Sequence, residues 1–237
     1  MKDLPFRQFS TTGARALAEW ERLRAAGGGW PIIVGGEHEA KALAANFEAG
    51  RPTSVEDILQ RAENLNHRQA LAEEVARSDA AYRKWAADNN EGVEEEPDPE
   101  LGEWPEEPIF TSGPILARDI VTMEPLELVP LLLVPAQQGW QVPAHVKFGD
   151  FNACPPPHVH VAALRAWQER YGAELVSLGG ATMELRVKKR PKTREEAVEL
   201  AWEQYRYCPD IVTQGVGDIY PLAAVLMASD WWYFWWD

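Results

Sequence analysis

The run Trp231-Trp232-Tyr233-Phe234-Trp235-Trp236, followed by Asp237, sets six aromatic side chains in succession. Chain ends fray unless tied down, and an exposed aromatic run of this size invites aggregation. These residues are therefore expected to be packed, in the core or against a partner. As a strand, the run sends Trp231, Tyr233 and Trp235 to one side and Trp232, Phe234 and Trp236 to the other. A strand apolar on both sides needs cover on both sides, which makes this stretch a structural centre.

The 237 residues suffice for a substantial core. The formal net charge is −14, and nine acidic residues with no Lys or Arg lie between Glu91 and Glu107, so the rest of the chain carries only −5. No basic stripe is visible, which argues against nucleic acid as a partner. The acidic balance fits a protein partner, and a basic one best. Two cysteines, Cys154 and Cys208, are too few for a disulfide scaffold and point to a reducing compartment. The first residues lack the apolar core of a signal peptide. The longest aliphatic run, Leu128 to Val134, is broken by Pro130 and too short to span a bilayer. A cytoplasmic protein without membrane contact is the expectation.

Apolar spacing predicts a helix over 14–26, stopped by Gly27-Gly28-Gly29, and a short strand from Trp30 towards Gly36. A second helix covers about 39–49, and a third opens at Thr53 or Ser54, with helical pattern continuing through Tyr82 and Trp85. From Asn89 to about Pro108 the composition turns acidic and proline-rich, and Glu94-Glu95-Glu96-Pro97-Asp98-Pro99 reads as a solvated linker. Three parts follow: a mainly helical region 1–90, an acidic linker 91–112 and a domain 113–237.

In that last part strands are expected at 128–134, 174–178, 183–187, 211–213 and the aromatic tail. Helices are expected from Val161 to Gly172, from a Thr193/Glu196 capping box to Tyr207, and from Asp218 to Ser229. Strand, helix, strand, strand, helix, strand predicts an α+β fold with a ferredoxin-like C-terminal core, the mostly helical N-terminal region packed on it. A faint echo, Arg51-Pro52-Thr53 against Arg190-Pro191-Lys192 and Ala16-Leu17 against Ala163-Leu164, raises an internal duplication as a suspicion only.

Several pieces between Leu128 and Asp237 occur in a telling order. They are Pro143-Ala144, Gly149-Asp150-Phe151-Asn152-Ala153-Cys154-Pro155, Leu164-Arg165-Ala166-Trp167 and Tyr171-Gly172-Ala173-Glu174-Leu175. After them come Glu203-Gln204-Tyr205, Cys208-Pro209-Asp210-Ile211-Val212, Gln214-Gly215 and the aromatic tail. With these, the stretch resembles a bacterial family catalogued as a domain of unknown function, family four-two-five-three. Phe151 stands where that pattern leads one to expect Trp, and Val216-Gly217 after Gln214-Gly215 is unusual. The resemblance implies almost nothing about activity.

The densest reactive cluster is Asn152-Ala153-Cys154-Pro155-Pro156-Pro157-His158-Val159-His160. A catalytic reading makes Cys154 a nucleophile with His158 or His160 as its base, oriented by Asn152 or Asp210. A metal reading takes Cys154, His158, His160 and Cys208 as a nitrogen–sulfur set suited to zinc, though Cys-x3-His-x-His is not a common zinc spacing. The plainer reading outweighs both: the prolines lead into a helix, the histidines lie near its start, and Cys154 is a buried thiol. Glu203 and Asp210 form a second candidate pair, more often found capping helices or pairing with Arg165, Arg170 or Arg206. Binding is assigned to Asn152, Glu203, Gln214, Trp235, Trp236 and Asp237. With no Walker-type loop, dinucleotide fingerprint or His-Glu-x-x-His segment, no cofactor is expected. Two functions follow: a non-enzymatic protein-binding module of accessory or immunity type, or a thiol- or zinc-dependent hydrolase built on Cys154, His158 and His160.

Overall fold

The aromatic tail forms the last strand of a six-stranded sheet that unites the two ends of the chain. The computed structural model describes residues 4–50, 52–92, 98–110 and 112–237; Arg51 of the sequence echo, and Glu94 to Pro97 of the expected linker, lie outside the described residues. The strands are β1 (Arg7–Thr11), β2 (Trp30–Ile33), β3 (Val129–Val134), β4 (Glu174–Leu178), β5 (Thr182–Arg186) and β6 (Trp231–Trp235). The helices are α1 (Ala16–Ala26), α2 (Glu37–Ala49), α3 (Val55–Ala62), α4 (His67–Asn89), α5 (Val142–Val146), α6 (Pro157–Tyr171), α7 (Arg194–Tyr207) and α8 (Ile219–Ala228). No helix of the described residues is long and apolar enough to cross a membrane.

The architecture is mixed α and β, as expected, but its strand order is β1-β3-β2-β4-β5-β6. That order corrects the ferredoxin-like detail. A split βαβ unit places one of its own strands between its two parallel strands. Here N-terminal β2 fills the place between β3 and β4, antiparallel to the first and parallel to the second. The N-terminal region thus enters the sheet itself. Pro31 has no N–H to give a ladder, and β2 meets β4 in register only at Ile33 and Ser177. Trp30 bridges the thin seam, its Nε1 donating to Leu175 O at 2.8 Å.

Local signals set most helix ends. Ser54 caps α3 by accepting from Asp57 N, and Thr193 caps α7 by accepting from Glu196 N. Pro157 opens α6, where a missing N–H costs nothing, and Gly172 closes it in the left-handed region at φ 63°. The strand expected at 211–213 is instead part of a π-helix over Ile211–Val216. The ring of Trp235 lies against Gly215, where a Cβ would come within 2.9 Å of it.

Pairing of β5 with β6 sets Met183 beside Phe234 and Leu185 beside Trp232, with Glu184 beside Tyr233 on the opposite face. On the first face Trp232, Phe234 and Trp236 are buried against α6 and α7. Trp167 stacks on Phe234 with ring centres 5.5 Å apart, and Tyr171 and Tyr207 meet Trp232 and Phe234 edge-on. The second face is covered in part by α1, through Arg186 paired with Glu21, and in part by residues 115–116, whose N–H groups reach Glu184.

Candidate functional site

The segment after α5 turns sharply. Lys147, Asp150 and Asn152 all take positive φ, and a Cβ at Gly149 (φ 115°) would meet Pro155 O at 2.1 Å and the His160 ring at 2.9 Å. Only glycine lets this loop close over the start of α6. The closure brings Cys154 Sγ to 3.3 Å from His160 Nε2, while His160 Nδ1 lies 2.5 Å from Tyr207 OH. Tyr207 OH in turn donates to Met183 Sδ at 3.6 Å. Burial raises the Cys154 thiol well above its usual range and lowers His160 to about 3. The pair is therefore a neutral thiol against a neutral imidazole, whereas a nucleophilic cysteine needs a thiolate.

The other members of that cluster lie apart. His158 Nε2 is 3.1 Å from Arg61 Nη2, and burial together with the Arg61 charge lowers its imidazole to about 4. Asp210 accepts from Asp237 N at 2.9 Å and from Gln214 Nε2 at 3.1 Å, tying the π-helix to the end of the aromatic run. Cys208 Sγ donates to Trp235 O at 2.8 Å, and burial pushes its thiol well up. Asn152 is exposed at the loop tip. Among the described residues no group of three or more His, Cys, Asp or Glu side chains is placed to hold a metal ion.

Glu203 is occupied from within. Its buried carboxylate accepts from His67 Nε2 (2.7 Å), Trp167 Nε1 (2.6 Å), Arg170 Nη1 (2.9 Å) and both Nε (2.8 Å) and Nη2 of Arg68. The site joins α4, α6 and α7. Asp210 shares none of these partners, so the two carboxylates do not form one acid–base pair.

An open site lies along the other side of β6. The half-buried Trp231, Tyr233 and Trp235, together with Ile109, Phe110 and Val216, line a groove of about 250 Å³. Buried Glu184, Gln204 and Trp232 are also among its lining residues. Gln204 Nε2 and Trp232 Nε1 have no hydrogen-bond partner among the described residues. An N–H left without an acceptor in a buried place forfeits about 1–3 kcal/mol, and the Trp232 indole lies on the α6 and α7 side of β6.

Glu184 accepts from Ile115 N at 2.5 Å and Leu116 N at 3.3 Å. Burial outweighs those bonds and raises its carboxyl from 4.5 to about 7. Between these values the folded protein keeps a proton that the unfolded chain has released, so stability falls as pH rises through the window. The whole loss is about 3 kcal/mol. Glu184→Gln is expected to remove this limb. Thermal midpoints of variant and wild type measured from pH 4.5 to 8 should diverge in the variant's favour as pH rises, and parallel curves would contradict the assignment.

Of the residues picked out by sequence, Cys154 and His160 meet, and Asp210, Gln214 and Asp237 meet beside the π-helix. His158, Asn152 and Glu203 stand apart from both groups, and Trp236 is core, its Nε1 donating to Tyr207 O. Glu184 and Gln204 escaped sequence reasoning as site residues. The one available signal was Glu184, a carboxylate set between Met183 and Leu185 in a strand.

Residues 130–237 match the model of a family described as a domain of unknown function (DUF4253), the stretch that the motifs from Pro143 to the aromatic tail pick out. No curated protein and no solved structure matches the chain.

Proposed function

We propose that the chain is a non-catalytic protein-binding module whose contact surface is the groove along β6. The observation that carries this reading is the groove itself, walled by the half-buried Trp231, Tyr233 and Trp235 and the exposed Ile109, Phe110 and Val216. Apolar walls with a few convergent polar groups are the common form of a binding site. Trp and Tyr are the side chains that anchor protein interfaces. A partner segment that inserts an apolar side chain matches these aromatic walls. The net charge of −14 suits a basic partner, through faster encounter more than through affinity.

A second reading, a thiol-dependent hydrolase, draws on the 3.3 Å approach of Cys154 Sγ to His160 Nε2. Capture from native cells separates the two, using wild type, Cys154→Ser and Ile109→Asp. Ile109 is 93% exposed, so its replacement spares the fold while placing a charge in the groove. The module reading expects one partner held equally by wild type and Cys154→Ser, and weakened about tenfold or more by Ile109→Asp. A partner held by Ile109→Asp but lost with Cys154→Ser would favour the thiol reading.

A further inference from the structure

A second cavity, of about 260 Å³, lies away from the groove, between α3, α4 and the loop that follows α5. Its lining brings together Arg61, Arg77 and Lys147, with Asp150 as the single carboxylate among the described lining residues. Lys147 ends α5 in the left-handed region at φ 58°, a conformation uncommon for a lysine, and this fixes where its side chain leaves the backbone. The residue is 6% exposed, and its Nζ has no hydrogen-bond partner among the described residues.

Ammonium groups are buried when something compensates their charge. Glu56 and Asp57 act on Lys147 through space, but neither is hydrogen-bonded to it, and burial outweighs them, lowering its amine from the ordinary value. Arg61 does not relieve the imbalance. Its Nη2 bonds to His158 Nε2, and an imidazole held at about 4 is neutral at physiological pH, so the bond cancels no charge. Arg77 is paired with Glu74, and its side chain is 67% exposed. The cavity therefore has one buried cation without a hydrogen-bonded counter-charge, Lys147, with the exposed Arg61 and Arg77 at its mouth.

We propose that this cavity binds a tetrahedral oxyanion, inorganic phosphate or the phosphoryl group of a small monoester, held between Lys147 Nζ and the Arg61 guanidinium. Arginine offers a planar fork to two oxygens and lysine a point charge, a common division of labour at phosphate sites. Asp150 sets a limit on what enters, since a larger polyanion would meet its carboxylate.

The test is isothermal titration calorimetry at constant ionic strength in chloride, with inorganic phosphate and glycerol 3-phosphate as separate titrants. Wild type is compared with Lys147→Asn, since asparagine tolerates the left-handed conformation, and with Arg61→Gln. One equivalent of phosphate is expected to bind wild type, with affinity about tenfold or more weaker in either variant. Tighter binding of glycerol 3-phosphate identifies a monoester as the ligand, and tighter binding of inorganic phosphate identifies the free ion. No saturable binding of either titrant to wild type overturns the proposal. So does unchanged affinity in whichever variant circular dichroism shows to be folded.

Discussion

Glu203→Ala is expected to destabilise the protein by about 3–5 kcal/mol, the range for removing one partner of a buried charge network. The mechanism is the stranding of what Glu203 satisfies: the guanidinium groups of Arg68 and Arg170, the His67 ring and the Trp167 indole N–H. Burial by itself raises the Glu203 carboxyl, but hydrogen bonds from His67 and Trp167 and the charges of His67 and Arg68 reverse this and bring it to about 2. As pH falls, the unfolded carboxyl takes its proton first, near 4.5. The contribution of the site, about 3 kcal/mol, is thus complete above that value and lost as pH drops towards 2. Urea unfolding at pH 7 should show the full deficit of Glu203→Ala, and the deficit should shrink below pH 4. Glu203→Gln keeps an acceptor but not the charge, so it should fall between the two. A deficit under about 1 kcal/mol would mean that these donors find other partners.

The second large effect belongs to the aromatic core. Phe234→Ala removes a ring that stacks on Trp167 and meets Tyr207 at 5.1 Å, at a fully buried position. The expected cost is about 3–5 kcal/mol, because rigid helices on one side and a sheet on the other cannot collapse into the void. One residue further on, the half-buried Trp235 faces the groove, and Trp235→Ala should cost under about 2 kcal/mol. The contrast between adjacent aromatics separates core from surface along a single strand. Equal losses in urea unfolding would mean that β6 is core on both faces.

What sequence reasoning reaches here is set by how far apart the interacting residues lie. The caps at Ser54 and Thr193 and the stop at Gly172 are contacts within a few residues, and all three stand where their motifs place them. The two-sided reading of the tail follows from strand geometry alone. β1 has the polar sequence Arg-Gln-Phe-Ser-Thr and offers no apolar alternation to betray it. The place of β2 between β3 and β4 depends on pairing across about a hundred residues, which no local pattern encodes. The β-branched Ile211-Val212-Thr213 reads as a strand, yet Gly215 under the Trp235 ring and the bond between Asp210 and Gln214 belong with a π-helix.

The candidate sites divide the same way. The Cys154–His160 contact spans six residues and was within reach of sequence reasoning, but Tyr207, the third member of that chain, comes from another helix. Arg170 is one of the cations expected near Glu203, while Arg165 instead donates to Ala62 O and Glu63 O at the end of α3. His67 and Arg68 reach Glu203 from more than 130 residues away. The burial of Glu184 likewise depends on residues 115–116, which lie outside any window a strand pattern covers.

The most direct test of the binding groove is photo-crosslinking in native cells, with a benzophenone amino acid placed at Ile109 in one protein and at Lys41 on α2 in another. The proposed surface predicts one discrete adduct from position 109, none from position 41, and loss of the adduct when Trp235→Ala is added. Equal adducts from both positions, or an adduct at 109 unaffected by Trp235→Ala, would contradict the groove as the partner's seat.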